Sequence, residues 1–177
     1  FCQFGIWQIM FNTRNIVFLF VNLSLGLSVI FSYIWGLNYF NEPDLLWGEV
    51  NPDYIPFIFI SMILGALGYI IFSTYFLFVK KLSNLQFNDF RIVISLYISI
   101  LFFSSLWMPL SILYLETDNK FALYSVLLCL YLVGFSSLLL LKFIFNNKLE
   151  NSIMWKLSVA GGFQFVFHTL IIDAVYW

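Results

Sequence analysis

Five stretches of this chain, roughly residues 15–37, 55–79, 91–115, 120–146 and 153–177, are apolar almost from end to end. Arg91, Lys120, Lys142, Lys156 and Asp173 are the only charged residues in them. A bilayer core of about 30 Å is crossed by about 20 residues of α-helix, and each stretch is that long. In hydrocarbon no water satisfies backbone N–H and C=O groups, so only helices and closed barrels can cross. Runs of this length, with most of the turn formers confined to the breaks between them, read as helices. The fold class is therefore an all-α integral membrane protein, a five-transmembrane-helix bundle forming a single membrane domain over 1–177. Composition agrees, because 10% of residues are charged and 62% hydrophobic, against about 25% charged in a typical soluble domain. With a net charge of −1 and no basic run, nucleic acid is not an expected partner.

The breaks between the runs hold most of the charge. Residues 41–56, "NEPDLLWGEVNPDYIP", carry Glu42, Asp44, Glu49 and Asp53 and no basic residue. Arg14 precedes the first run, Lys80, Lys81 and Arg91 bracket the 2–3 connection, and Lys142, Lys148 and Lys156 flank the 4–5 connection. Only Lys120 falls on the opposite side. The positive-inside rule then places the N-terminus inside, with the acidic 41–56 loop and the C-terminus outside. This alternation itself supports five spans, since adding or removing one would scramble it. The chain opens on Phe1 and reads as a fragment or processed product, with "MFNTRNIVFLF" from Met10 as a natural start. Residues 16–37 are too long for a cleaved signal and read as a signal anchor. The segment before them, with Trp7 and Gln8, suits the membrane interface.

Lipid is as apolar as leucine, so membrane helices associate through small residues and hydrogen bonds. Ser24, Ser28 and Ser32 form an i, i+4 stripe passing near Gly26, and Ser61 and Gly65 form a small-xxx-small pair followed by Gly68. Both read as helix-packing faces.

Two places carry unusual chemistry. The last run, "GGFQFVFHTLIIDAVYW", holds the only histidine, His168. At α-helical spacing Gln164, His168, Thr169, Ile172, Asp173, Tyr176 and Trp177 share one broad arc that must face protein or a wet cavity. The i, i+4 pairs Gln164–His168 and Thr169–Asp173 can each exchange a hydrogen bond, and His168 is expected to face the bundle interior, bonded to Gln164 or to a group on another helix. Ionisable groups within a span mark functional sites by default, which makes His168, near mid-membrane, and Asp173, nearer the outer end, candidates. In the third run Pro109 removes a backbone hydrogen bond and is expected to kink the helix, with Trp107 beside it as a pocket wall.

Other chemistries lack their residues. There is no phosphate-binding glycine loop and no potassium-filter sequence, and a single histidine forbids bis-histidine haem ligation. Cys2 and Cys129 form no metal-type spacing. "GFSS" at 134–137 with His168 offers a serine–histidine pair, a minor alternative of the intramembrane serine protease kind.

Ala66-Leu67-Gly68-Tyr69, Leu96-Tyr97 and then Trp107-Met108-Pro109 resemble motifs in the second and third helices of the translocator protein family of tryptophan-rich sensory proteins. Trp47, Pro52 and Pro56 are similar to that family's long first loop, and Asp173 and Trp177 to the end of its fifth helix. The likeness covers about residues 45–115 and the helix count. The family's proline-rich loop pattern is not reproduced, Asp173 replaces its asparagine, and the 2–3 and 4–5 connections are longer. The resemblance implies a cavity closed by the first loop that takes tetrapyrroles, sterols or similar hydrophobic molecules. Trp47, Trp107, Pro109, Gln164, His168 and Asp173 are the expected ligand-binding residues. No bound cofactor is expected beyond such a tetrapyrrole, and the function expected is binding or transport of the ligand, as in a receptor or carrier. The alternative is an accessory or assembly subunit, with a homodimer or a larger membrane complex as its setting and the bilayer as constant partner.

Overall fold

The computed structural model describes residues 13–40, 43–48, 50–80, 82–147 and 152–176. Five helices long and apolar enough to cross a membrane account for nearly all of it. We label them α1 (Thr13–Tyr39), α2 (Ile55–Thr74), α3 (Phe87–Thr117), α4 (Lys120–Asn146) and α5 (Ile153–Val166). Two are extended by π-helical winding, α2 through Tyr75–Lys80 and α5 through Phe167–Tyr176. The expected spans are all present, each within a few residues of its expected bounds. Trp7, Gln8 and Met10, with Cys2, Glu42, Glu49, Lys81, Lys148 and Trp177, lie outside the described residues.

Helix ends fall where polar residues can satisfy free backbone groups. Asn119 caps α4 by accepting from the Phe121 N–H at 2.9 Å, and Ser152 caps α5 by accepting from the Trp155 N–H at 3.2 Å. Asp118, at φ 49°, takes the left-handed conformation that ends α3 and makes the α3–α4 turn tight. Before α2, Asn51 accepts from the Asp53 N–H at 3.0 Å and Pro52 opens the short helix that runs into α2.

Around the bundle the order is α1, α3, α4, α5, α2, so α2 packs on α5 rather than on its neighbours in sequence. The α2–α5 crossing is close. A Cβ on Gly161 would lie 2.9 Å from the Gly68 Cα, so the two backbones nearly touch. That contact gives the glycine of the Ala66–Tyr69 stretch a packing reason. The serine stripe of α1 is only partly used as expected. Ser32 is buried, but Ser28 is exposed, and Ser24 and Ser28 bond back to the carbonyls of Phe20 and Ser24. Lipid offers these hydroxyls no acceptor, so they fold onto their own helix.

The half of the bundle near the 2–3 and 4–5 connections is packed solid. Phe18, Phe72, Phe76 and Tyr97 are almost wholly buried there, with Phe18 edge-on to Tyr97 at 4.7 Å. Hydrogen bonds between helices reinforce this half: the Tyr69 hydroxyl meets Asn22 at 2.5 Å, Ser73 meets Tyr97 at 3.0 Å and Ser99 meets Ser136 at 2.8 Å. Arg14 donates to the carbonyl of Leu85 at 2.5 Å and lies over the Phe90 ring, which ties the start of α1 to the 2–3 connection. The opposite half is hollow.

Candidate functional site

The hollow is a cavity of about 370 Å³ lined by residues from all five helices and from the first loop. This size falls within the range of small-molecule sites, roughly 300–1,000 Å³. Its roof is the short helix Pro43–Trp47, which turns Leu46 inward until it is 6% exposed and sets Asp44 and Trp47 at the rim. Below the roof, the Tyr33 ring of α1 stacks on Trp107 of α3, with centroids 5.5 Å apart and planes 26° from parallel. The two rings form a flat wall. Gly36, one turn beyond Ser32, lets Met108 lie directly against α1 and holds this wall in place. Ile58, Met62 and Ala66 of α2 and Leu130 and Val133 of α4 complete an apolar surround.

The polar part of the lining comes mainly from α5, and its placement follows from the change in winding. In an α-helix, residues five apart point about 140° away from each other. The π winding over Phe167–Tyr176 brings such residues together, and His168 Nε2 lies 3.5 Å from Asp173 Oδ1. π segments are rare and occur frequently at functional sites. The His168 side chain is 10% exposed and that of Asp173 34%. Gly65 of α2 faces the imidazole, and a Cβ there would stand 3.4 Å from the His168 Cβ. His168 Nδ1 is buried and makes no hydrogen bond among the described residues.

This corrects the expected pairing on α5. Gln164 does not bond His168; its amide donates to the Ser61 hydroxyl at 3.2 Å across the α2–α5 contact. Thr169 does not bond Asp173; it shares a hydrogen bond with Ser137 of α4 at 2.9 Å and donates to its own Phe165 carbonyl. Both expectations assumed α winding to the end of the helix. His168 does face the bundle interior, as expected.

Of the six candidate residues, the cavity brings together Trp47, Trp107, His168 and Asp173. Gln164 and Pro109 are not part of the lining. Pro109 sits inside α3, which runs on through it to Thr117 rather than ending there. Tyr33, Met62 and Asp44 line the cavity without having been marked by the sequence. Tyr33 lies in a run with Phe31 and Trp35, which are exposed on the outer face of α1, and composition cannot separate inward from outward rings on such a helix.

The serine–histidine alternative finds no geometry here. Ser137 bonds Thr169 and the Gly134 carbonyl, Ser136 bonds Ser99, and neither hydroxyl is bonded to His168. Comparison with models of protein families, with characterised proteins and with solved structures finds no match to this chain.

Proposed function

We propose that this polytopic membrane protein binds, and by binding carries or senses, a small hydrophobic ligand of tetrapyrrole- or sterol-like shape. The observation that carries the reading is the asymmetry of the bundle, solid in one half and hollow under the Pro43–Trp47 roof in the other. A purely structural subunit has no need of a cavity to which every helix contributes. The flat Tyr33–Trp107 wall suits a fused or conjugated ring system, and the few polar groups on α5 suit orientation of one end of it. Five residues of the resemblance to the translocator protein family, Trp47, Ala66, Trp107, Met108 and Asp173, fall on the lining, and Gly68 falls on the helix contact beside it.

Titration with a carboxylate-free porphyrin or a sterol analogue should quench tryptophan fluorescence saturably. Trp107→Ala removes one half of the wall and should weaken binding by about 1–3 kcal/mol, the value of a buried aromatic contact. Unchanged affinity in Trp107→Ala would remove this wall from the account.

One observation favours the second reading, an accessory subunit or a homodimer. On α1 a Cβ at Gly26 would meet nothing within 4 Å, and the neighbouring Ser28 and Leu27 are exposed. This small-residue strip is available to a partner helix. Cross-linking of a Gly26→Cys variant to a second copy or to another membrane protein would support it.

A further inference from the structure

The polar inventory of the cavity is lopsided. Among the described residues its lining holds two carboxyl groups, Asp44 and Asp173, one imidazole, His168, and no lysine or arginine. A ligand carboxylate entering it would meet no ammonium or guanidinium among them. Asp44 at the rim and Asp173 inside would oppose it, and burying a charge without a partner is strongly unfavourable.

The aromatic wall adds to this. Tyr33 and Trp107 line the same cavity as Asp173, and their ring quadrupoles attract cations. An ammonium group is donor-only and a carboxylate acceptor-only, so the first can meet the Asp173 carboxyl and the second cannot. His168 Nε2 lies 3.5 Å from that carboxyl, while Nδ1 is closed off from the cavity. A neutral hydroxyl can donate to the carboxyl without offsetting its charge, so it ranks between the two.

We propose that the cavity selects hydrophobic ring compounds bearing a cationic amine over those bearing a carboxylate, with Asp173 as the recognising group and Tyr33–Trp107 as platform. This rests on the reading of the cavity as a ligand site, and it ranks amine-bearing members of that ligand class above acid-bearing ones.

The test uses the full chain in discs of zwitterionic phosphatidylcholine, with empty discs as the partition control. Three probes share one ring: 2-naphthylethylamine, 2-naphthylacetic acid and 2-ethylnaphthalene. Calorimetry at neutral pH should rank the amine above the hydrocarbon and at least about tenfold tighter than the acid. Asp173→Asn should lower amine affinity by about the same factor and remove the amine's advantage over 2-ethylnaphthalene, with monodisperse elution and an unchanged circular dichroism spectrum reporting that the variant is folded. Acid binding as tight as amine binding overturns the proposal, as does an amine preference that survives Asp173→Asn. Binding of 2-ethylnaphthalene with no gain for the amine overturns the selectivity and spares the cavity reading. Failure of all three probes to bind overturns both. The wild-type ranking decides by itself should the variant fail to fold.

Discussion

Replacing Gly161 by alanine tests the close contact between α2 and α5. The added Cβ would stand 2.9 Å from the Gly68 Cα, 3.1 Å from the Gly68 carbonyl oxygen and 3.4 Å from its carbonyl carbon. All three are backbone atoms, so no rotamer change relieves the clash and α2 must move away from α5. Overpacking of this kind costs about 1–3 kcal/mol, against a gain of about 1 kcal/mol for replacing glycine by alanine within a helix. The net expectation is roughly 0–2 kcal/mol of destabilisation, and about 1–3 kcal/mol relative to a glycine-to-alanine change in open space. Gly26→Ala is the matched control. Its Cβ would meet nothing within 4 Å, so only the helical gain remains and the variant should be neutral or up to about 1 kcal/mol more stable. Reversible unfolding in bicelles, followed by steric trapping or by SDS titration, measures both. Equal stability of Gly161→Ala and Gly26→Ala would refute the α2–α5 contact on which the position of His168 opposite Gly65 depends.

Three further outcomes follow. Single cysteines at Asn51 and Asn147 of a cysteine-free variant should label from opposite sides of sealed vesicles, with Asn51 outside; same-side labelling would mean that one span is wrong. Ser137→Ala removes the α4–α5 hydrogen bond to Thr169 and should destabilise by about 0.6 kcal/mol, the average for such bonds in a membrane, with ligand binding unchanged; a large loss of binding would give Ser137 a role at the site. Gly65→Leu places a side chain against the His168 ring, from which a Cβ alone would stand 3.5 Å. It should reduce ligand affinity more than stability, and tight binding by that variant would move the site away from His168.

The spans were legible in the sequence because length, apolarity and the polar breaks all point one way. The fourth run, expected over 120–146, forms α4 with those bounds. The inward placement of His168 was legible for a similar reason, since lipid penalises a polar ring. Its partner was not. The sequence rule for helix neighbours assumes 3.6 residues per turn, and no residue in "FHTLIIDAVY" announces a change to π winding. The pairing therefore moved from four residues apart to five, and Gln164 was released to Ser61. Tyr33 escaped notice for a different reason. Most rings on α1 face outward, among them Phe20, Phe31 and Trp35, and only the tertiary contact with Trp107 distinguishes Tyr33 from them. The fate of the Ser24 and Ser28 hydroxyls was equally hidden, because a small-residue strip marks a packing face without saying whether the partner belongs to the same chain.

The central claim is that the hollow half of the bundle takes a hydrophobic molecule. Photolabelling tests it most directly. A ring-bearing diazirine probe is added to the protein in discs, irradiated, and the modified residues are mapped by mass spectrometry with and without excess unlabelled competitor. The account predicts competitor-sensitive labelling at Met62, Trp107 and His168, which line the cavity. Labelling at Leu23 and Phe31, on the exposed face of α1, should not respond to competitor. Labelling confined to such outward residues, with none at Met62, Trp107 or His168 that competitor reduces, would contradict it.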